Sequence, residues 1–541
     1  MAELKNFYVQ NLEGWQKTLS RKKLSDKELE VKVVEHGIVL PARQIEGKDF
    51  IYEGGVCDND FNFVAGFSLR DPATMSGGGG IDWWTCESSY VVERKELVTL
   101  DEDVIFCGVV NAHFGHFITE HWSRLWYVIQ NPDIKSKILF LLVGRGYASW
   151  FDDFFRMMGI DKERIIYVTQ PLQCRSVTVP EISNYTIGVN FTKEFLVPYQ
   201  AIKSRVTPGK IKKLYLTRTK FDTRNSVPYR KFFNEKYFED FFKARGFEIV
   251  SPEELSLEEQ ISLVLGADEI VAILGTLTHW AMFCKPDAKF IMLNRTSASI
   301  SLQTFINEAF GIKNYCIVDA AKNFMYARHD NGVFLLGSNK YWKEFVADYF
   351  GEKIDEDDDI SYLEGALDKY VNYWCRKYQD PKNLNIWIES LSGMCHRIVE
   401  LERAASKKRP LLNYQTHVAS KGWGTWNSEG MFSNPLDQKL DIQAIKIDFA
   451  GCKVHYAVYF NETEGWSAEV AAPEMAGTTG KGKPITGVKI RLDEAGAKDF
   501  DILYRLHTFD DTWTPWAKNG EELLSGGVKL NSLQIELKPK A

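Results

Sequence analysis

Histidine is scarce in this sequence, with 10 copies in 541 residues. Cysteine is thinly spread as well. Its nine copies form no CxxC pair and their number is odd, which excludes a zinc knuckle or a disulfide frame and points to a reducing compartment. No long basic run occurs, and the net charge is −7, so a nucleic-acid surface is excluded. The longest apolar run, ILFLLVG (138–144), is far too short to span a bilayer. The opening residues MAELKNFYVQ are polar and mixed in charge, neither signal peptide nor anchor. There is no GxGxxG, no P-loop and no HExxH. A cytoplasmic protein with no membrane span and no nucleic-acid partner is expected.

What is present divides into zones. Up to about residue 330, strand-like and helix-like runs alternate. ILFLLVG, RIIYVT (164–169), KLYLTR (213–218), EIVAIL (269–274) and KFIMLN (289–294) read as strands. ASWFDDFFRMMG (148–159), KYFEDFFKARG (236–246) and SLEEQISLVLGA (256–267) read as helices between them. Such alternation implies parallel sheets with ligands at the carboxyl ends of the strands. Two series flank residue 200, so two Rossmann-like α/β domains facing a cleft are expected, over 1–200 and 201–330. Residues 331–410 are helical and charged, and are expected to form a linker or packing segment. NIWIESLSGMCHRIVELERAASKKR (385–409) reads as one long amphipathic helix.

From 411 to 541 the chain repeats. AIKIDF (444–449), GVKIRL (487–492) and SLQIEL (532–537) are alternating strands, each preceded by a tyrosine and a tryptophan. The pairs are Tyr414 and Trp423, Tyr456 and Trp466, Tyr504 and Trp513, at intervals of about 45 residues. One such unit cannot bury its face alone, so three imply a closed all-β module, prism- or trefoil-like. The tryptophans are read as core staples in preference to sugar platforms.

Three of the few histidines fall in VNAHFGHFITEHWSRLW (110–126). On a helix His113, His116, Glu120 and Arg124 share one polar stripe. Phe117, His121, Leu125 and Val128 form an apolar one, which makes His121 structural. Three readings of the polar stripe stand open: a metal site, a Glu120-oriented His116 acting as acid or base, or an ion-paired structural face. Arg218 ends a predicted strand, where a parallel sheet offers a cation to a phosphate. Gly275 and Thr276 stand where a helix follows a strand, a place suited to phosphate.

These segments together resemble the catalytic domain of glycosyltransferase family 61, over roughly residues 45–325. HFGHFITEHWSRL (113–125) is similar to the family's N-Y-Y-H-x-x-x-E-x-x-x-R-L at His116, Glu120, Arg124 and Leu125, with His113 where Asn is common. Tyr215 to Arg218 matches Y-(I/L)-(S/T)-R. Gly246 to Ile261 matches a third motif, including Pro252, Glu253, Ser256 and Gln260. A fourth is matched at Gly275, Thr276, His279 and Phe283, with Trp280 replacing the usual Asn or His.

The resemblance implies a GT-B enzyme that inverts the anomeric centre, with a nucleotide sugar, usually uridine-linked, as donor and neither metal nor other cofactor. His116, Glu120 and Arg124 would be catalytic. Arg218, Glu253, Gly275, Thr276 and His279 would hold the donor. The acceptor would be a hydroxyl of a glycan or glycoprotein, as in bacterial surface or capsular polysaccharide synthesis or protein glycosylation. The C-terminal module, whose AGTTG (476–480) and GVKI (487–490) resemble clostridial hydrophobic repeats with conserved Trp, would recruit acceptor, oligomerise or only pack. The alternative is a non-catalytic glycan- or partner-binding protein on a degenerate transferase fold.

Overall fold

The computed structural model describes residues 6–19, 24–48, 50–68, 85–185, 190–224, 231–296, 298–327, 332–355, 358–406, 411–436 and 439–540. The chain divides into two compact units, Met1–Lys353 and Ile354–Ala541. The helical segment expected over 331–410 is therefore split. Helix Lys340–Phe350 belongs to the first unit, and two longer helices belong with the β module.

In the first unit, β1 (Phe7–Tyr8) sits at the edge of a six-stranded parallel sheet whose other strands all follow residue 200. The start of the chain thus adds to the second sheet. The first sheet contains β2 (Val98–Val110), β3 (Lys137–Leu142), β4 (Ile165–Val168) and β5 (Leu172–Pro180), parallel in the order β4-β3-β2-β5. Strands Ile38–Gln44 and Ile51–Cys57 extend it antiparallel beyond β5. The expected Rossmann-like sheet is therefore mixed, a parallel half joined to an antiparallel one. The antiparallel half needs only short connections, whereas each parallel pair needs a crossover.

After β2 come α1 (Phe114–Glu120) and α2 (Leu125–Gln130). The sequence reads as one helix here, but the chain turns between His121 and Arg124. No proline or glycine causes the break. Tertiary bonds do: Arg124 Nε donates to Pro180 O at 2.7 Å, and Trp126 Nε1 to Glu181 O at 2.9 Å. These bonds hold the residues after Glu120 against the end of β5. Helix α3 (Trp150–Met158) ends as its sequence suggests, at Gly159 in the left-handed region with φ 82°.

The second sheet holds β6 (Lys213–Leu216), β7 (Glu248–Val250), β8 (Glu269–Ile273), β9 (Lys289–Asn294) and β10 (Tyr315–Asp319) in the order β1-β10-β9-β8-β6-β7. Helix α4 (Glu235–Lys243) joins β6 to β7, α5 (Leu257–Gly266) joins β7 to β8, and α6 (Ser301–Ala309) joins β9 to β10. Ser256 and Glu259 form a capping box at the start of α5. Numbering only these five strands from β6, the order is 2-1-3-4-5, a doubly wound arrangement whose direction reverses between β6 and β8. A crevice opens at the carboxyl ends of strands at such a reversal. One apolar cluster carries residues of both sheets, from Ile105 and Phe140 to Leu214 and Met292.

The second unit begins with α7 (Ile360–Tyr378) and α8 (Leu384–Ser406), and continues with three β repeats. Each repeat pairs two long antiparallel strands: β11 (Leu412–Val418) with β12 (Ile442–Phe449), β13 (Val454–Tyr459) with β14 (Gly487–Leu492), and β15 (Phe500–Thr508) with β16 (Leu530–Pro539). The registers agree: Tyr414 faces Ile447, Tyr456 faces Ile490 and Tyr504 faces Ile535. The repeats are also joined to one another. Ala476–Gly477 of the second pairs with β12 of the first, and Leu523–Leu524 of the third pairs with β14 of the second. Gly430 and Ser433 of the first bond backbone to backbone with β16 of the third. Gly477 is required by this exchange, because a Cβ there would stand 2.4 Å from Gln443 O.

The tyrosines seal the same joints. Tyr456 OH donates to Glu474 O and accepts from Ile447 N–H of the first repeat at 3.1 Å. Tyr414 OH donates to Met431 O and accepts from Ile535 N–H of the third at 3.2 Å. Tyr504 OH donates to Glu521 O and lies against Ile490 N–H of the second. All three rings are fully buried, whereas Trp423, Trp466 and Trp513 are half-exposed. The tyrosines are thus the core staples, which corrects the role expected of the tryptophans. The tryptophan rings lie on the sheets beneath Lys446, Lys489 and Arg505 at 5.0, 4.5 and 4.3 Å.

Helix α8 packs on the module. Arg397, buried, lies 3.6 Å from the buried Glu429, and Arg505 lies 3.3 Å from Glu389. Replacing Tyr456 with Phe removes one hydroxyl that serves a donor and an acceptor on different segments. The expected cost is about 1–3 kcal/mol, read as a lower unfolding midpoint of the second unit in chemical denaturation.

Candidate active site

The reversal between β6 and β8 places two turns side by side. The first follows β6 and carries Arg218. Its shape is held by two buried carboxylates on α4. Glu235 accepts from Arg218 N–H at 3.1 Å and from Tyr215 OH at 3.3 Å. Glu239 accepts from the hydroxyls of Thr217 and Thr219, the latter at 2.7 Å. The guanidinium of Arg218 lies over Phe221 and Phe232, at 4.7 and 5.1 Å. Glu253 follows the neighbouring β7, in a short turn over Pro252–Glu254. Its Oε1 is buried, and no hydrogen-bond partner is found for it among the described residues. A buried carboxylate oxygen of this kind suits a ligand hydroxyl.

The second turn follows β8 and is a 3₁₀ helix over Thr276–Phe283, where the sequence suggests an α-helix. Gly275 precedes it with φ 149°. Its N–H is spent inside the turn, 3.3 Å from Thr278 Oγ1. That φ, which other residues rarely adopt, calls for glycine, and the space beside it is occupied. A Cβ would stand 2.7 Å from Nη1 of Arg295, so the missing side chain is the space that the guanidinium fills. Arg295 immediately follows β9 and is buried, 5.2 Å over Phe334. Sequence reasoning missed it, although KFIMLNR repeats the pattern of KLYLTR, a buried strand followed by an arginine.

In a 3₁₀ helix residues three apart eclipse one another, so Thr276 and His279 share a face. His279 Nδ1 lies 2.9 Å from Gln303 Oε1 on α6. Trp280, one residue on, is buried and packs against Phe114 and Phe283. That explains the aromatic ring at this motif position: it fills the seam between the turn and α1.

Helix α1 meets the same turn from the first sheet. The space for a Cβ on Gly115 is 3.2 Å from Thr276 Oγ1 and 3.7 Å from His113 Cε1. His116 Nδ1 lies 2.9 Å from Glu120 Oε2, with Glu120 buried and His116 half-buried. A carboxylate only accepts, so Nδ1 carries the proton and Nε2 the lone pair. The stripe expected on one helix is thereby shortened. His113 is the residue before α1, its ring 4.4 Å from that of His116. Arg124 lies beyond the end of α1 and donates to Pro180 O and Gly66 O, at 2.7 and 2.9 Å. It borders a separate cavity of about 260 Å³, together with Gly66, Cys86 and Glu181. Among the described residues no group of three or more His, Cys, Asp or Glu is placed to hold a metal ion.

The structure therefore joins His116 and Glu120 to Thr276, Gly275 and His279, adds Arg295, and sets Arg218 and Glu253 on the two strands alongside. Residues 114–291 match the family model described as Glycosyltransferase 61, and residues 462–494 match that described as Clostridial hydrophobic W. The first match supports a glycosyltransferase. It spans every candidate site residue above except His113, Arg295 and Gln303, and both matches fall within the segments that carry the resemblances. No curated protein was found to match the chain.

His121 belongs to the core beneath the site. Its Nδ1 lies 2.8 Å from Val109 O, and burial holds its pKa down at about 4. The folded state thus refuses a proton that the unfolded chain takes up near the ordinary histidine value. The resulting stability is fully present above about pH 6.5 and is lost as pH falls from there towards 4. The loss is on the order of 3 kcal/mol. In denaturant titrations at pH 7 and pH 5, His121→Asn is expected to show a smaller difference between the two than the wild type.

Proposed function

We propose that the first unit is an inverting glycosyltransferase of GT-B layout that needs no metal and moves a sugar from a nucleoside-diphosphate sugar, a uridine-linked one, to a hydroxyl of a glycan or glycoprotein. The observation that carries this reading is the seating of Gly115 against Thr276. It puts an oriented histidine–carboxylate pair from one sheet beside the turn that ends β8 in the other.

The two sides have complementary tasks. The donor's diphosphate lies at the crevice between β6 and β8, where Arg218, Arg295 and the turn after β8 provide cations and a helix start. Glu253 accepts from ribose hydroxyls. His116 Nε2 takes the proton of the acceptor hydroxyl while Glu120 stabilises the imidazolium. The acceptor oxygen forms its bond to the anomeric carbon on the face opposite the diphosphate. The carbon–oxygen bond to phosphate breaks, and its electron pair leaves on the diphosphate, neutralised by the arginines. One displacement inverts the centre. Arg124 acts through shape, by tying the chain after α1 to Pro180 and Gly66. Synthesis of surface or capsular polysaccharide, or glycosylation of protein, in the cytoplasm is the setting that fits, with the C-terminal module recruiting acceptor.

A thermal-shift screen across nucleotide sugars is expected to raise the unfolding temperature with a uridine-linked donor, and EDTA is expected to leave turnover unchanged. With that donor, His116→Ala is expected to lower kcat about 10²- to 10⁴-fold, and Glu120→Gln to lower it less. Loss in Glu120→Gln alone would make Glu120 the base. Normal turnover by both variants, each folded, would refute the proposed base pair.

A further inference from the structure

We infer that Gln303 is a positioning residue, its amide oxygen fixing a proton on His279 Nδ1, so that the ring engages the donor's diphosphate as an imidazolium through Nε2 and diphosphate binding takes up a proton. This rests on the reading that the turn after β8 binds a diphosphate.

The argument begins at an atom that cannot change roles. Thr278 O is a backbone carbonyl and only accepts, and Gln303 Nε2 donates to it at 3.0 Å. The same nitrogen donates to Asn307 Oδ1 at 2.8 Å. The amide of Gln303, itself 1% exposed, is thus oriented with Oε1 towards the turn. There Oε1 lies 2.7 Å from Thr278 Oγ1 and 2.9 Å from His279 Nδ1. An amide oxygen accepts, so the histidine nitrogen facing it must be N–H. Turning the amide over would set its oxygen against Thr278 O.

A neutral histidine has one proton on its ring, and here it sits on Nδ1. Its Nε2 is then an acceptor, which a phosphate oxygen repels. The neutral tautomer with Nε2–H, which could bind phosphate without gaining charge, is the one Gln303 disfavours. The ring can therefore donate to a diphosphate only after taking a proton at Nε2. His116 makes the contrast clear. Its partner, Glu120, is a carboxylate whose charge stabilises the imidazolium once a proton reaches Nε2, whereas the amide of Gln303 carries no charge.

Among the described residues, the charged and titratable groups on the elements packed against the turn include Glu269 on β8, engaged with Lys213 and Tyr349, and His113, whose ring lies 4.4 Å from that of His116. Helix α1 carries His116 and Glu120, already paired. Arg295 stands against Gly275 and disfavours a second cation until the diphosphate arrives. Lys203, on the neighbouring helix Val197–Lys203, donates to Cys284 O. Helix α5 carries Glu258 and Glu259, engaged with Arg156 and Ser256, and α6 carries Glu308.

The experiment is calorimetry of UDP binding to the full chain near pH 8, in two buffers of different ionisation enthalpy. At that pH the terminal phosphate of UDP is already ionised, so proton uptake reports on the protein. The wild type is expected to take up roughly half to one proton per UDP, uridine none, and His279→Asn none with UDP. Gln303→Met frees the ring to adopt the Nε2–H tautomer and is expected to lower the uptake and to flatten the fall of affinity with rising pH. The nitrogen shifts of the His279 ring, assigned by their loss in His279→Asn, read the tautomer in the unaltered protein, so the inference does not depend on Gln303→Met folding. UDP binding without proton uptake, uptake unchanged in His279→Asn, or a free ring carrying Nε2–H each overturns the inference while leaving the diphosphate site standing. Absence of any UDP binding instead removes the site, and this inference with it.

Discussion

Everything proposed for the first unit depends on one close approach, that of Gly115 to Thr276. A side chain on residue 115 would have its first carbon 3.2 Å from the threonine hydroxyl, so even a methyl group there would crowd the turn. That distance is set by aromatic packing rather than by polar bonds. Phe114 packs against Trp280, while Phe117 stacks on Phe151 at 4.3 Å and meets Trp150 edge-on. Tyr199 holds the next carbonyl, that of Ile118. Phe117 thus seats α1 on α3, and Phe114 on Trp280 carries the packing across to the turn of the other sheet, buried aromatic surface worth several kcal/mol in all. The polar groups that ride on α1 and on the turn are positioned as a by-product.

Much of this frame was legible in the sequence because it obeys local rules. The second sheet's strands, the stop at Gly159 and the capped start at Ser256 follow from periodicity and end chemistry. The reversal between β6 and β8 needed the pairing order, which no local pattern records. The break after Glu120 was hidden for the same reason: the bonds that cause it reach from Arg124 to Pro180 and Gly66, more than fifty residues away. Arg295 escaped notice because its neighbour across space is Gly275, twenty positions earlier. The residues read as catalytic or donor-binding are brought to three turns, after β6, β7 and β8, and to one helix, save Arg124, which donates to Pro180 O and Gly66 O instead.

Two further glycines act by absence. At Gly275 the missing side chain leaves room for a guanidinium, and at Gly477 for a neighbouring strand. Neither use is a turn in the ordinary sense, and neither could be told from a turn glycine by composition alone.

The tyrosines of the second unit carry a consequence of another kind. Each is bonded to the repeat before it, and the first is bonded to the last. A linear stack of repeats has two ends and grows or shrinks by whole units, each adding one interface. A circuit has no end at which to add. A fourth copy would have to open an existing joint and widen the ring, and a loss would leave a strand and a tyrosine hydroxyl with nothing opposite. The copy number of this module is therefore a property of its geometry, and gene duplication can alter its surface but not its count.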